Sequence, residues 1–164
     1  MAKINWCINQ KDGIKLVEPN SNLAEAYLKK AEDSLLSINL NQVKEWKIAT
    51  AYYASYFSVY AIMQRMGVKC EIHPCTIEFA KVFLKEFFTN EEVEFLEDSF
   101  TARKDSQYYI DRKVADETYK LILEQTPLFF VKCKSILSKI TEKKINEIRE
   151  KLKQEIKELD FNKK

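Results

Sequence analysis

The sequence predicts an all-α protein, an up-and-down bundle of four to five helices with a short N-terminal hairpin-like segment and a C-terminal amphipathic helix. Glycine and proline are scarce, at 2 and 3 residues of 164. Such a lack of helix breakers favours long helices over a turn-rich β fold. Apolar residues make up 46% of the chain, enough for one packed core. We expect an extended segment over 1–20, the bundle over 21–140 and a charged tail helix over 141–164.

Charge and hydropathy narrow the class of protein. The 27 basic and 25 acidic residues nearly cancel, so any surface that binds nucleic acid must be local. No apolar run approaches the ~20 residues of a membrane span, and the first residues lack the apolar core of a signal peptide. We therefore expect a cytoplasmic protein without membrane contact. Cytoplasmic cysteines are mostly thiols, and we expect the four at 7, 70, 75 and 133 to be core-filling thiols.

The first twenty residues contain two short β-type runs, over 4–8 and 14–17. Asp12-Gly13 lies between them, and Asp-Gly is a hairpin turn signal. We expect a two-stranded ribbon that lies on the helices, because an isolated ribbon is weak.

The first two helices have clear signals at their ends. Asn22, with Glu25 three residues later, fits an N-cap and capping box for a helix over 22–38. The next helix, over 42–66, stops at Gly67.

The 42–66 segment reads as the central helix of the bundle. Its polar residues fall within one narrow stripe, and a helix wet on so little of its circumference must be surrounded by others. The stripe consists of Lys44, Lys47, Ser55, Ser58 and Arg65. Four tyrosines lie on the side away from it, and their hydroxyls need partners if they are buried. They are Tyr52, Tyr53, Tyr56 and Tyr60.

Three further helices complete the bundle. Pro74 suits the first turn of a helix over 74–88. Thr89 and Glu92 form a capping box that opens a helix over 90–108. The last helix of the bundle follows Arg112 and reaches 140, and we expect a kink or break at Pro127.

The helix over 90–108 carries the most informative pattern. One of its faces places an arginine and an amide where the core should be. This face consists of Val93, Leu96, Phe100, Arg103 and Gln107. A buried guanidinium needs hydrogen-bond partners, so Arg103 is either paired within the structure or faces a cleft where it binds an anion. Its planar fork suits phosphate. The third option is a helix that ends near 102 and leaves Arg103 in solvent.

His73 is the only histidine, and so the one side chain whose ordinary pKa lies near neutrality. It is either a general acid or base, or a residue that opens the helix before Pro74. Cys70, His73 and Cys75 together supply three metal ligands, but no second cluster follows them. We expect neither a metal nor another cofactor.

Several segments together resemble the HEPN family, in particular its archaeal forms. They occur in family order and cover about residues 20–140. The segments are Ala26-Tyr27-Leu28-Lys29-Lys30-Ala31, Ala51-Tyr52-Tyr53-Ala54-Ser55-Tyr56-Phe57, the connector with His73, and Arg103-x-Asp105-x-Gln107-Tyr108-Tyr109.

The resemblance implies a helical bundle that forms a homodimer. Many HEPN proteins are metal-independent ribonucleases, and others are toxins encoded beside a minimal nucleotidyltransferase that acts as antitoxin. Some bind RNA or nucleotides without activity. The family's ribonuclease motif is an arginine followed, four to six residues later, by a histidine. Arg103 matches the arginine, whereas Tyr108 or Tyr109 stands at the place of the histidine.

Three functions remain open at this point. The first is a module that binds RNA or a nucleotide in a cleft around Arg103, either alone or within a toxin–antitoxin or defence pair. Its binding residues would be Arg103, Gln107, Tyr108, Tyr52, Tyr53 and Tyr56. The second is a ribonuclease in which Arg103 stabilises the anion and His73 or Tyr109 transfers the proton. The third is a non-catalytic interaction protein in which Arg103, Asp105 and Tyr109 form a buried network.

Overall fold

The computed structural model describes residues 3–161. The expected features at 1–2 and 162–164 lie outside this range. The described residues form seven helices and one two-stranded sheet, which confirms the all-α prediction. In chain order the elements are α1 (Ile4–Asn9), β1 (Lys15–Leu16), α2 (Ser21–Leu40), α3 (Lys44–Arg65), β2 (Val68–Lys69), α4 (His73–Phe83), α5 (Asn90–Tyr108), α6 (Asp116–Lys139) and α7 (Glu142–Phe161).

The bundle consists of α2, α3, α5 and α6, with α3 at its centre. At one end of the core, each of the four helices contributes a buried side chain: Ile38, Ile48, Ala102 and Ile122. Successive members run in opposite directions. Tyr27 near the start of α2 packs on Tyr60 near the end of α3, and Arg103 near the end of α5 donates a hydrogen bond to Tyr53 in the first half of α3, so α2 and α5 both run antiparallel to α3. Lys44 and Asp116, at the starts of α3 and α6, form an ion pair, so these two helices run parallel. The up-and-down order is therefore observed.

Helix α3 is almost wholly enclosed, as its composition predicts. Fourteen of its side chains are buried. The predicted wet stripe is wrong at Ser55 and Ser58, which are both fully buried. Each serine donates its hydroxyl hydrogen bond to the carbonyl oxygen four residues earlier, at Ala51 and Ala54. A small hydroxyl satisfied in this way can enter a core.

Of the capping residues predicted for α2 and α5, those of α5 are confirmed and that of α2 is wrong. The capping box of Thr89 and Glu92 is present at the start of α5. The predicted cap of α2 is wrong by two residues: Asn20, not Asn22, accepts the hydrogen bond from the Leu23 amide, at 2.9 Å. Asn20 has the extended backbone of an N-cap residue, which aims its side-chain oxygen at this free amide.

The predicted N-terminal hairpin is wrong. Residues 4–9 form α1, and β1 pairs instead with β2, antiparallel, with Lys15 opposite Lys69. Gly13 is needed for a close approach, because a Cβ there would lie 1.8 Å from the Cys7 carbonyl oxygen. The Ile14 amide donates to that same oxygen at 3.0 Å.

Two of the four predicted thiols are joined instead. A disulfide links Cys7 in α1 to Cys75 in α4, with the two Cα atoms 5.4 Å apart. Packing of α1 against α4 brings these residues within reach of each other. Cys70 and Cys133 are buried free thiols, as expected.

The last two helices pack on the bundle. The break expected at Pro127 does not occur, since α6 continues through it to Lys139. The tail helix α7 buries Ile145, Ile148 and Leu152 against the same core. Within residues 3–161, no helix combines the length and the apolar character that a membrane crossing requires.

Candidate functional site

Arg103 points towards the core, as the pattern of α5 predicts. Its side chain is half-buried, and Nη2 donates a hydrogen bond to the Tyr53 hydroxyl at 2.8 Å. The guanidinium carbon lies 5.4 Å from the ring centre of Tyr53 and 5.1 Å from that of Tyr108. Two aromatic rings therefore flank the charge, an arrangement that stabilises a guanidinium.

No carboxylate compensates this charge within residues 3–161. Asp105, two residues along α5, accepts a hydrogen bond from Arg112 at 2.8 Å, and Arg103 forms no ion pair among the described residues. Its Nε atom is buried and has no hydrogen-bond partner. A buried donor left without a partner costs free energy, so the site favours an added anion.

The network predicted for Arg103, Asp105 and Tyr109 is wrong. Tyr109 follows the end of α5, is 44% exposed, and lies 3.6 Å from the guanidinium carbon of Arg112. Asp105 and Tyr109 thus both contact Arg112, while Arg103 turns to the opposite side towards Tyr53. The spacing of residues in α5 predicted that Arg103 points inward. It carries no information about residues after the helix, such as Tyr109.

His73 lies in the same cluster, which the sequence alone could not establish. It is the first residue of α4, and its Nδ1 atom is 2.6 Å from the Tyr52 hydroxyl. Its ring stacks on Tyr56, with ring centres 4.1 Å apart. Burial, and then the positive charge of Arg103, lower the pKa of His73 to about 4. The imidazole is therefore neutral at pH 7.

Burial also raises the pKa of Tyr52 and Tyr56 above the ordinary tyrosine value. Both hydroxyls stay protonated at neutral pH. The Tyr52 hydroxyl can then donate to Nδ1 of His73, which leaves the ring hydrogen on Nε2. Such a histidine offers a hydrogen-bond donor rather than a positive charge.

The predicted binding residues divide by accessibility. Tyr52 and Tyr56 are 0% and 6% exposed, so their rings belong to the core and support His73. Tyr53 and Gln107 are half-buried, and Tyr108 is exposed. Only these last three can reach a ligand beside Arg103.

Sequence reasoning missed one prominent residue, Trp46 in the first turn of α3. Trp46, Thr50, Tyr53 and Phe57 form the partly exposed line of this helix, at intervals that place them on one face. The side of α3 left open to solvent is thus largely aromatic. The predicted stripe of this helix rests on polar residues, and a single tryptophan beside it forms no periodic pattern of its own.

Two grooves lie next to the Arg103 cluster. One, of about 460 Å³, is lined by Val43, Glu45, Trp46, Ser106, Gln107 and Tyr108. The other, of about 560 Å³, carries the basic side chains Lys44, Arg112 and Lys113 and the ring of Tyr109. Both open where the C-terminal end of α5 meets the start of α3.

The metal-ligand interpretation of Cys70, His73 and Cys75 is not supported. Cys75 is bonded to Cys7, and no cluster of three or more histidine, cysteine or acidic side chains suited to a metal occurs within residues 3–161. Burial raises the pKa of the Cys70 thiol, which disfavours the thiolate that binds metals.

Fold and site together define a helical bundle with an uncompensated arginine held between tyrosines. Comparison of the chain with models of known protein families and with curated proteins finds no match in either.

Proposed function

We propose that this protein is a HEPN-type module that binds RNA or a nucleotide around Arg103. The observation that carries the proposal is the half-buried guanidinium of Arg103, flanked by Tyr53 and Tyr108 and without a carboxylate partner among the described residues. A phosphate would supply the missing charge and accept from its donors. The neighbouring rings offer stacking surfaces for bases.

The state of His73 favours binding over catalysis. With a pKa of about 4, His73 is almost never an imidazolium at pH 7, so it is not a general acid. The same low pKa makes it a weak general base. Its Nε2–H can still donate a hydrogen bond to a phosphate or a sugar hydroxyl. His73 is then a second binding group beside Arg103.

The first test is binding of a fluorescently labelled single-stranded RNA by wild type, Arg103→Ala and Arg103→Lys. Losing a hydrogen bond to a charged group costs about 1.5–3 kcal/mol, so Kd should rise at least tenfold in Arg103→Ala and less in Arg103→Lys. Arg65→Ala is a matched control, because Arg65 lies at the far end of α3 and pairs with Glu142. Equal affinity in Arg103→Ala and wild type, with equal melting temperatures, would overturn the proposal.

The second candidate is a metal-independent ribonuclease. Arg103 and His73 both contact Tyr53, through a hydrogen bond from Nη2 and through rings 6.1 Å apart, which favours it. In this function His73 would carry its hydrogen on Nδ1, donated to the Tyr52 hydroxyl, and would leave Nε2 free to accept the proton of the 2′-hydroxyl. The 2′-oxygen bonds to phosphorus while the bond from phosphorus to the 5′-oxygen breaks, and the leaving 5′-oxygen takes the proton from Nε2, so that a 2′,3′-cyclic phosphate forms. Tyr109 is less suited to proton transfer because it stacks on Arg112. The same RNA, incubated with EDTA, should be cleaved by wild type and not by Arg103→Ala if this function holds.

Partners and location follow from the resemblance. We propose a homodimer, and a minimal nucleotidyltransferase as an antitoxin partner. We also propose a cytoplasmic location, because RNA is present there. The Cys7–Cys75 disulfide weighs against it, because cytosolic cysteines are mostly reduced.

A further inference from the structure

The groove beside Arg103 has two exposed aromatic walls. Trp46 is 57% exposed and Tyr108 is 64% exposed, and both line the same cavity of about 460 Å³. Within residues 3–161, Trp46 contacts no other aromatic ring. Large exposed rings that line the same groove are suited to stacking on a flat ligand.

The groove is also lined by hydrogen-bonding groups. Gln107 and Ser106 come from the last turn of α5, and Glu45 comes from the first turn of α3. Glu45 is exposed and forms no ion pair among the described residues. A carboxylate there accepts hydrogen bonds and repels phosphate, so it faces the base of a nucleotide rather than its phosphate.

Arg103 adjoins the groove through Tyr108. Tyr108 both lines the groove and lies over the Arg103 guanidinium, at 5.1 Å. Negative charge at Glu45 and positive charge at Arg103 therefore orient a ligand that has an anionic end and an uncharged aromatic end.

We propose that this groove binds an unpaired guanine base, stacked between Trp46 and Tyr108, in a nucleotide whose phosphate contacts Arg103. Guanine presents two adjacent N–H donors, at N1 and N2, which match the two oxygens of Glu45. Adenine offers a single donor group beside a ring acceptor and matches a carboxylate less well. This inference rests on the proposed function and assigns a base and a subsite to it.

The experiment uses Trp46 as its own reporter. The chain has two tryptophans, so a Trp6→Phe protein leaves Trp46 as the only source of indole fluorescence. This protein is titrated with GMP, AMP, guanosine and ribose 5-phosphate. GMP should quench the fluorescence saturably and bind at least fivefold more tightly than AMP, since a good bidentate contact discriminates bases by about 1–3 kcal/mol. Guanosine should bind more weakly than GMP, and ribose 5-phosphate should not quench.

Two variants separate the parts of the proposal. Glu45→Gln should bring the affinities for GMP and AMP together, while Arg103→Ala should bring those for GMP and guanosine together. Glu25→Gln is the matched control for the first variant, because Glu25 is an exposed glutamate on α2. It should keep the preference for GMP.

The inference and the proposed function can fail separately. If calorimetry shows Arg103-dependent binding of RNA or GMP, but Trp46 fluorescence does not change and Trp46→Ala binds equally well, the base lies elsewhere. The groove assignment is then wrong while the proposed function stands. If neither RNA nor any nucleotide binds, both are wrong. Equal affinity for GMP and AMP overturns the guanine assignment. A dimer in light scattering that Trp46→Ala converts to monomer, without nucleotide binding, assigns the groove to a second copy and overturns the inference.

Discussion

At the scale of single residues, His73 shows how a cluster changes the chemistry of one side chain. In water its pKa would lie near 6.5, and it would be partly protonated at neutral pH. Between Tyr52, Tyr56 and the charge of Arg103, the pKa falls to about 4. The positive charge of Arg103 therefore disfavours protonation of His73. At neutral pH the histidine is uncharged and Arg103 keeps its charge.

Nuclear magnetic resonance can measure this pKa directly, because His73 is the only histidine in the chain. We expect its ring signals to titrate near pH 4 in wild type. In Arg103→Met the pKa should rise, because a charge that lowers it is gone. A wild-type titration near 6.5 would contradict the burial and the electrostatics described for His73.

The same pKa shift makes stability depend on pH. Between pH 6.5 and 4 the unfolded chain binds a proton at His73 that the folded chain does not, so the free energy of unfolding should fall as the pH is lowered. After allowance for solvent screening at this partly exposed site, the loss is about 1–2 kcal/mol. Urea unfolding at pH 7 and pH 5 should show a smaller difference in His73→Gln than in wild type.

At the scale of elements, signals carried by neighbouring residues predicted well. The range 90–108 of α5 was predicted correctly because a capping box opens it, and the same periodicity aimed Arg103 inward. The hairpin failed because the partner of β1 lies at Val68–Lys69, far along the chain. Local turn chemistry cannot reveal a distant strand, and for the same reason the meeting of His73 with Arg103 was not predictable.

Arg149 is one of the residues that attach the tail helix to the rest of the fold. Nη1 of Arg149 in α7 lies within hydrogen-bond distance of three carbonyl oxygens, at 2.9 Å from Val17, 2.7 Å from Met66 and 3.0 Å from Gly67. Gly67 has a φ of +68° and ends the turn after α3. Without Arg149, the carbonyl oxygens of Gly67 and Met66 would each lose a hydrogen bond from a charged donor.

We expect Arg149→Ala to lower the free energy of unfolding by about 2 kcal/mol, the usual range for hydrogen bonds to a charged group. Equilibrium urea unfolding measures the change. Lys153→Ala is the control on the same helix, because its only ion pair among residues 3–161 is an exposed one with Glu150, which should contribute a few tenths of a kcal/mol. Equal effects of the two substitutions would show that the carbonyl contacts contribute little.

At the scale of the whole molecule, the disulfide joins the N-terminal segment to the bundle. Cys7 and Cys75 are 68 residues apart, and closing a loop of this length in the unfolded chain is worth about 4 kcal/mol on the chain-entropy model. The backbone adds to this link, since the Glu71 amide donates to the Asp12 carbonyl at 2.8 Å.

A Cys7→Ala/Cys75→Ala protein should therefore unfold at lower urea concentration, with a free energy of unfolding about 4 kcal/mol below that of oxidised wild type. Reduced wild type should match the double variant. Cys133→Ala with its disulfide intact is the comparison, because it removes a buried free thiol without opening the loop. If oxidised and reduced wild type unfold together, the pair does not stabilise the fold.

This fastening of the N-terminal segment has a consequence for the order of events during synthesis. Residues 3–20 leave the ribosome before the strand, the amide and the cysteine that they require, which lie between Val68 and Cys75. Arg149, which also contacts the Val17 carbonyl, emerges later still. Residues 3–20 must therefore wait for α2 and α3 to emerge, and they gain their contact with Arg149 only after α7 has been made.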